Sequence, residues 1–404
     1  MVGETYPWST DSMFRYLREN HNSVLGIRGY VLKSGAQFED LTEDQVDQWI
    51  TEPLPQVPAS QQSDQPTYHL FAFPAEDNFA GVKYPLSWIE AVQQKSTEHE
   101  IWKVMLDAAA FVGTQPLSLR QFPADYACIS FYKMFGYPTG LGALLVKIDS
   151  IDILNKVFWA GGSVALATSH DNFHVLKCRP TERLEDGTVA FLDIISLKHG
   201  FDALQRYGGI ESIREHTQCL AEWLYRRLVS LKHSNGKPLV KIFGKHGLGD
   251  SRAVQGPILN FELLGANGPG LSYKAFEREA AEAGFHIRTG NECNPGAAYN
   301  YLGIHESEVE SLAGMTEGCA DELEYIEVSR PTTSHDPSTP LNLSDLVQLP
   351  QETTEGSHLV QIPLGSVRVS LGYLSTFEDC YKFAQFLEKH CKDQVANNSR
   401  HSCK

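Results

Sequence analysis

The chain has 404 residues, 42% of them hydrophobic and 21% charged, and it carries a formal net charge of -16. This length and composition predict a soluble globular protein with a sizeable core, and the length alone allows two or three domains. The negative charge argues against nucleic acid as the main partner, because binding to phosphates requires a positive face.

Neither a membrane segment nor a metal motif is apparent in the sequence. No apolar run approaches the length of a membrane span, and Met1 to Asp11 is too polar for a signal peptide. The eight cysteines are scattered without a Cys-x-x-Cys pair, so they indicate neither a zinc site nor a disulfide framework. We therefore expect a cytoplasmic protein without a structural metal.

The first 65 residues combine helical patterns with a polar loop. Ser9 to Arg18 has the apolar spacing of a helix, and Val24 to Leu32 could continue as helix. His21 lies between them, where an imidazole could stack on an aromatic cofactor and move protons, although most loop histidines are ordinary ones. Glu43 to Gln65 is rich in proline, serine and acidic residues and predicts a solvated excursion.

A strand and a helix follow this excursion. Tyr68 to Phe73 alternates as a strand does, and it runs into a loop in which Asn78 is by pattern an ordinary turn residue. Val82 to Gln94 predicts a helix with Trp88 and Ile89 on its buried face.

One carboxylate stands inside the next apolar run. Val104 to Phe111 predicts a strand that contains Asp107. A buried aspartate needs a cationic partner, and in pyridoxal phosphate enzymes that partner is the protonated pyridine nitrogen.

A lysine lies between the next two predicted strands. Tyr126 to Ser130 and Gly142 to Val146 are apolar runs joined by a glycine-rich turn, and Lys133 follows the first of them. Among Ser130, Tyr132 and small residues its ammonium would be partly desolvated, which frees an amine to attack a carbonyl. A lone lysine is more often a surface residue, but the order strand, aspartate, strand, lysine and glycine turn is a specific pattern.

The rest of the chain predicts long helices and then a smaller unit. Asp193 to Leu204 and Ile210 to Ser230 are amphipathic helices. Beyond Ser230 we expect a smaller α/β domain with a mixed sheet. Its predicted elements are strands Val240 to Phe243, Ile258 to Leu264 and Phe285 to Arg288, helix Tyr273 to Ala283, a strand within Leu359 to Leu371, and a last helix Phe377 to His390.

Two residues of this smaller unit have side chains that could take part in a reaction. Cys293 lies between Gly290 and Pro295 on a segment that we expect to be exposed and mobile, although free cysteines are usually buried and inert. Arg368 alternates with apolar residues on a strand, where an arginine more often forms a surface ion pair.

These motifs resemble a known family. Asp107, Ser130 and Lys133 resemble the core of the class V aminotransferases and cysteine desulfurases, and Ser130 to Val146 resembles the N-terminal domain of the molybdenum cofactor sulfurases. Similar stretches run from about Asn20 to about Lys389. The resemblance implies the fold type I of pyridoxal phosphate enzymes, an α/β fold with a mostly parallel sheet in a large domain and a smaller α/β C-terminal domain.

The resemblance also implies a division of the chain and a set of cofactor contacts. We expect a large domain at 1–230, a small domain at 231–392 with a disordered insertion near 332–357, and a tail at 393–404. Lys133 would hold pyridoxal 5'-phosphate covalently, Asp107 would keep its ring nitrogen protonated, and His21 would stack on the ring as an acid/base group. The further implied cofactor contacts are Ser130, Tyr132, Asn78 and Thr188, the last reaching the phosphate of the neighbouring subunit in a homodimer.

The implied reaction is the desulfuration of L-cysteine. Arg368, with Asn78 and Arg288, would bind the substrate, the fork of Arg368 clamping the α-carboxylate. Cys293 would attack the substrate sulfur and become a persulfide while alanine leaves. In the sulfurases this sulfur passes to the molybdenum cofactor of xanthine dehydrogenase and aldehyde oxidase.

The sequence departs from the family in several places. Ala110 stands where desulfurases often have a glutamine, and Asn291 and Ala298 stand where many sulfurases have further cysteines. Only twenty residues precede His21, and little chain follows Phe377, so we expect a chain shortened at both ends, without the phosphate-binding first segment or the molybdenum cofactor domain. A generic class V desulfurase, lyase or aminotransferase, or a non-catalytic remnant, stays open as an alternative.

Overall fold

A computed structural model describes residues 1–53, 65–268, 270–313, 324–331 and 357–396. The strands of its larger sheet are β1 (Met13–Leu17), β2 (Gln37–Leu41), β3 (Thr67–Pro74), β4 (Glu100–Asp107), β5 (Tyr126–Ser130) and β6 (Gly142–Val146). They lie in the order β2-β1-β3-β4-β5-β6. Every neighbouring pair is parallel except β5 and β6, which are antiparallel, so the predicted α/β fold with a mostly parallel sheet is confirmed.

The remaining strands form smaller sheets. They are β7 (Val164–Ala167), β8 (His174–Leu176), β9 (Val240–Phe243), β10 (Ile258–Leu263), β11 (Arg288–Gly290), β12 (Tyr325–Pro331), β13 (Ser357–Pro363) and β14 (Ser366–Ser370). A second sheet has the order β11-β14-β10-β9, while β7 pairs with β8 and β12 pairs with β13. All neighbours in the second sheet are antiparallel, so the expected mixed sheet is wrong.

Helices connect and cover these sheets. They are α1 (Val2–Thr5), α2 (Asn22–Leu25), α3 (Arg28–Lys33), α4 (Glu43–Thr51), α5 (Trp88–Gln93), α6 (Phe131–Phe135), α7 (Ile148–Ile151), α8 (Pro180–Leu184), α9 (Phe191–Arg206), α10 (Gly209–Ser230), α11 (Ser251–Val254), α12 (Tyr273–Glu282), α13 (Pro295–Leu302), α14 (Glu306–Glu310) and α15 (Phe377–Cys391). Among the described residues, none of these helices is both long and apolar enough to cross a membrane.

The predicted helix at Ser9 to Arg18 is wrong, because this segment contains the inner strand β1. Its two edges pair with β2 and β3. Phe14 and Tyr16 are buried on one face of the sheet and Leu17 on the other. Because both faces of β1 are covered, its apolar residues do not alternate strictly with polar ones and mimic a helical spacing.

Two other predicted boundaries moved. The excursion at Glu43 to Gln65 begins instead with helix α4, whose start is stabilised by a capping box between Thr42 and Gln45; residues 54–64 lie outside the described residues. Within Val82 to Gln94 only α5 is helical. Val82 instead forms a β-bridge to Gln255, and Pro85 disfavours a helical conformation in the residue before it.

The end of the chain is described in part. The predicted insertion lies outside the described residues from 332 to 356, and so does the tail from 397 onward. The predicted strand Phe285 to Arg288 is displaced to β11. The last helix is confirmed, and Thr376 caps it through a bond from the Asp379 N–H.

Buried apolar residues cover both faces of the larger sheet. On one face Phe71 and Phe73 pack near Trp88 of α5, with ring centroids 5.4 Å apart for Phe73 and Trp88. A separate cluster joins the second sheet to α10, α12 and α15. Leu220, Leu224 and Leu228 are buried there, which confirms them as core, although they precede the predicted domain boundary at residue 230.

We predict that Leu224→Ala destabilises the protein, because Leu224 is 0% exposed within α10. The lost burial and the cavity left behind should lower the free energy of unfolding by about 2–5 kcal/mol, measured by urea denaturation. Val229→Ala in the same helix is the matched control, since Val229 is 48% exposed. Equal effects of the two substitutions would contradict the assignment of this helix face to the core.

Candidate active site

Three parallel strands end at the same edge of the larger sheet. Pro74 of β3 lies opposite Asp107 of β4, and Asp107 lies opposite Cys128 of β5. The loop that carries Asn78 and the helix that carries Lys133 therefore leave the sheet beside each other. This edge is where ligands bind in open parallel sheets.

A cavity of about 220 Å³ lies at this edge. Six of the residues singled out in the sequence line it, namely His21, Asn78, Asp107, Ser130, Tyr132 and Lys133. Its wall also contains Ala110, at the position where desulfurases often have a glutamine. Four other candidates, Arg368, Arg288, Cys293 and Thr188, are not among the lining residues.

Lys133 lies in α6, directly after β5. The residue is exposed, so the partial desolvation expected from its place between two strands is wrong. It lines the cavity together with Tyr132, which is also exposed, at 47%. A Cβ at Gly113 would lie 3.0 Å from the Lys133 carbonyl oxygen, so only glycine lets the neighbouring loop approach α6 this closely.

The charges of Asp107 and Lys133, which line the same cavity, affect the pKa of His21. Asp107 is half-buried, and its Oδ1 accepts a hydrogen bond from the Ala109 N–H at 2.9 Å. Burial lowers the pKa of His21, the ammonium of Lys133 lowers it further, and the carboxylate of Asp107 opposes both. His21 is therefore neutral near pH 7.

The same imidazole caps a helix. Nδ1 of His21 accepts a hydrogen bond from the Ser23 N–H at 3.1 Å at the start of α2. Because an accepting nitrogen carries no hydrogen, the proton of the neutral ring is on Nε2. The ring is thus held in one orientation and one tautomer.

A buried aspartate shapes the loop after β3. The carboxylate of Asp77 accepts hydrogen bonds from the N–H groups of Phe79, Ala80 and Val82 at 2.9, 2.7 and 2.7 Å. Burial raises the pKa of Asp77 to about 6, and these backbone donors oppose the rise. Asp77 is therefore ionised near pH 7 and holds the turn that presents Asn78.

Asn78 joins the cavity wall to the second sheet. Its Nδ2 donates to the Glu292 carbonyl oxygen at 2.6 Å, and its Oδ1 accepts from Nδ2 of Asn294 at 3.1 Å. Its own carbonyl oxygen accepts from Nη1 of Arg368 at 2.5 Å. Arg368 thus touches the cavity wall through Asn78 without lining the cavity.

Arg368 is paired with an acidic residue that the sequence did not single out. Nη1 of Arg368 lies 2.8 Å from Oε2 of Glu292, and the two side chains are 16% and 2% exposed. Nε of Arg288 lies 4.0 Å from the same oxygen, and Arg288 is 68% exposed. Burial raises the pKa of Glu292, which the two arginines oppose, and burial lowers the pKa of Arg368, which Glu292 opposes.

The loop that carries Cys293 is tied to the cavity edge. Cys293 is exposed, as predicted. Its carbonyl oxygen accepts from the Asn22 N–H at 2.8 Å, and its own N–H donates to Oδ1 of Asn291 at 3.1 Å. The first of these bonds joins the backbone of Cys293 to the residue after His21, and the mobility of the loop stays a prediction.

Thr188 lies apart from these residues. It is exposed in the loop between α8 and α9. The glycine before it, Gly187, has a φ of 72°, in the left-handed region. Its expected contact is with a neighbouring subunit, so its role stays a prediction.

Comparison with known proteins defines the family. Residues 52–307 match the family described as aminotransferase class-V. The chain belongs to the aminotransferase class-V family. Molybdenum cofactor sulfurase from Bos taurus is 38% identical over 398 residues, which cover 96% of this chain and 41% of that protein. The chain therefore spans less than half the length of this curated relative.

Solved structures agree on the fold. The cysteine desulfurase CsdA from Escherichia coli superposes with a TM-score of 0.66 at 16% identity, covering 96% of this chain and 75% of that one. A lysine-to-alanine variant of the enzyme C-DES, with glycine covalently linked to the PLP cofactor, superposes with a TM-score of 0.61 at 16% identity, covering 96% and 77%. At this identity the likeness concerns the fold alone.

The cavity of this class V chain has the donor set that suits pyridoxal phosphate. An amine at Lys133, a carboxylate at Asp107 and an imidazole at His21 line one space. An amine can bind an aldehyde, a carboxylate can pair with a protonated ring nitrogen, and an imidazole can stack on the ring. The residues present therefore fit the ring end of the cofactor.

Besides Asp77, three further acidic residues near the site were missed in the sequence. Glu76 lines the cavity and is 2% exposed, and burial raises its pKa well above the ordinary value. Glu292 binds Arg368, and the Oε2 atom of Glu19 is buried without a hydrogen-bond partner in the described structure. The available signal was an acidic residue beside each motif residue: Glu76 before Asn78, Glu292 before Cys293, and Glu19 before His21.

We predict that Glu19 makes the protein less stable as the pH rises. Burial raises its pKa to about 7, above its ordinary value of 4.5. A carboxyl group whose folded-state pKa is raised contributes stability that is complete below the unfolded pKa and is lost as the pH rises through the folded value. Glu19→Gln should therefore remove a loss of up to about 3 kcal/mol between pH 5 and pH 8.

Urea denaturation at both pH values measures this effect. The exposed Glu4→Gln is the control and should keep the native pH dependence. A Glu19→Gln variant with the same pH slope as the native protein would refute the assignment.

Proposed function

We propose that this chain is a pyridoxal phosphate-dependent L-cysteine desulfurase of the molybdenum cofactor sulfurase type. The observation that supports it best is the meeting of Lys133, Asp107 and His21 in one cavity at the ends of parallel strands. The similarity to the bovine sulfurase over 96% of the chain supports the same function. A generic class V lyase or aminotransferase is the alternative, and it would not need Cys293.

The cofactor would be held by three groups of the chain. Lys133 would bind its aldehyde carbon, Asp107 would pair with its ring nitrogen, and His21 would stack on its ring. Bound pyridoxal phosphate supplies an electron sink that makes the α-proton of an amino acid acidic. Ser130, Tyr132 and Asn78 would complete the contacts, with Thr188 of a second subunit at the phosphate.

The substrate would be oriented by the second sheet. Arg368 would clamp the α-carboxylate of L-cysteine with Asn78, and Arg288 would add positive charge at the exposed side. Neutral His21, with its proton on Nε2, can exchange protons with the substrate, while Lys133 can take the α-proton once its amine is free.

Cys293 would accept the sulfur. Its thiolate attacks the sulfur of L-cysteine, so a sulfur–sulfur bond forms as the bond between Cβ and sulfur breaks. The electron pair of the broken bond stays with the carbon skeleton, which takes up protons and leaves as L-alanine. The persulfide on Cys293 would then pass its terminal sulfur to the molybdenum cofactor.

The same proposal includes the localisation, the oligomeric state and the domains of the protein. We propose a cytoplasmic homodimer with a large domain at 1–230, a small domain at 231–392 and a tail at 393–404. The membership of α10 in the core of the second sheet supports an alternative in which the large domain ends before this helix.

We predict that Lys133→Ala abolishes covalent cofactor binding. The native protein mixed with pyridoxal phosphate should absorb in the visible near neutral pH, and addition of L-cysteine should shift the band. Lys133→Ala should show only the spectrum of free pyridoxal phosphate, because the imine-forming amine is absent. Lys147→Ala, another accessible lysine, is the control. A retained protein-bound band in Lys133→Ala would refute the proposal.

We predict that Cys293→Ser abolishes sulfide and persulfide formation while the spectral change with L-cysteine remains. A hydroxyl does not accept sulfur, whereas the cofactor contacts are intact. Cys178→Ser is the matched control, since Cys178 is also an exposed free cysteine. Undiminished release of sulfide by Cys293→Ser, with pyruvate and ammonia in place of L-alanine, would favour the lyase alternative.

A further inference from the structure

Glu292 forms a buried ion pair with Arg368, the cation that the proposed function assigns to the carboxylate of the substrate. Oε2 of Glu292 lies 2.8 Å from Nη1 of Arg368. Arg368 is on β14, opposite Arg288 of β11 and Asn260 of β10, so it is fixed in the middle of the second sheet. The same Nη1 donates to the carbonyl oxygen of Asn78 in the cavity wall. A carboxylate of the chain itself is therefore bound where a ligand carboxylate would arrive.

This pairing uses only part of the capacity of both groups. Nε of Arg368 and Oε1 of Glu292 are buried and have no hydrogen-bond partner in the part of the chain described. An arginine and a carboxylate can form two parallel hydrogen bonds, and such a fork is stronger than a single bond. A ligand carboxylate that engages Arg368 through two bonds can therefore displace Glu292.

The backbone of the same segment is held in an unfavourable conformation. Glu292 and Cys293 have φ values of 57° and 55°, in the left-handed region that side chains disfavour. Bonds from Asn78 to the Glu292 carbonyl oxygen and from Asn22 to the Cys293 carbonyl oxygen hold it there. Release of the Glu292 side chain removes one of the contacts that maintain this conformation next to the thiol.

We propose that Glu292 is an internal competitor for Arg368 and thereby lowers the affinity of the site for carboxylate ligands. A ligand carboxylate must displace the Glu292 carboxylate before it binds Arg368. This inference rests on the proposed function for the identity of the substrate. The competition itself concerns only the side chains of this chain.

The first test measures ligand binding without the cofactor. The probe is 3-mercaptopropionate, which has the carboxylate and thiol of L-cysteine but no amine, titrated calorimetrically into the full chain. Glu292→Gln should bind the probe roughly tenfold more tightly than the native protein, because the fraction of molecules with a free Arg368 rises. The exposed Glu310→Gln of α14 should bind as the native protein does. Arg368→Ala should lose the gain when it is combined with Glu292→Gln.

Glu292→Ala provides a second variant if the glutamine substitution prevents folding. Equal or weaker binding of the probe by a folded Glu292 variant overturns the proposal. The result is independent of whether the chain binds pyridoxal phosphate, so its failure is distinguishable from failure of the proposed function.

The second test separates competition from a structural role. In the cofactor-loaded protein, Glu292→Gln should lower the KM for L-cysteine by a factor similar to the gain in probe affinity, with kcat changed much less. A residue that only shaped the loop would lower kcat when substituted and leave KM unchanged or higher. That second pattern would overturn the proposal.

Discussion

The candidate site depends on one geometric constraint, the common edge at which parallel strands end. The pairing of Pro74 with Asp107 and of Asp107 with Cys128 brings three loop segments of the chain side by side. Each of these segments contributes one functional group, so the pairing of the strands is enough to bring the three groups together. The antiparallel strand β6 begins at this edge, where Gly142 lies opposite Ser130, and α6 between β5 and β6 leaves Lys133 exposed at the rim of the cavity.

A second set of bonds connects this edge to the antiparallel sheet. Asn78 donates to the backbone of the cysteine loop and accepts from Arg368, while Asp77 fixes the turn in which Asn78 lies. The two bonds of Asn78 each span more than two hundred residues of sequence, so they connect the edge of the larger sheet to the second sheet and its cysteine loop. A substitution of Arg368 would therefore affect both Asn78 in the cavity wall and the loop that carries Cys293.

The acidic residues of the site are its least expected property. A carboxyl group without water or a cation is costly, and Glu76 and Glu19 accordingly have raised pKa values. Burial raises the pKa of Glu292 as well, but this carboxylate forms an ion pair, and its partner is the arginine proposed to bind the substrate. The chain thus carries its own carboxylate at a site that its family resemblance assigns to a ligand.

The sequence by itself determined the lysine strand, because an apolar run is a local pattern, and it located the aspartate strand four residues late, at Val104 to Phe111 instead of Glu100–Asp107. The family followed from the resemblance of the motifs around Asp107, Ser130 and Lys133. β5 and β6 have the predicted bounds, and six candidate residues line one cavity. Only the tertiary structure decided that Met13–Leu17 is a strand, because burial on both faces removes the alternation that identifies one. It also decided that Lys133 is exposed and that Glu292 binds Arg368, since solvent access and long-range ion pairs depend on how distant segments pack and leave no periodic signal in the chain.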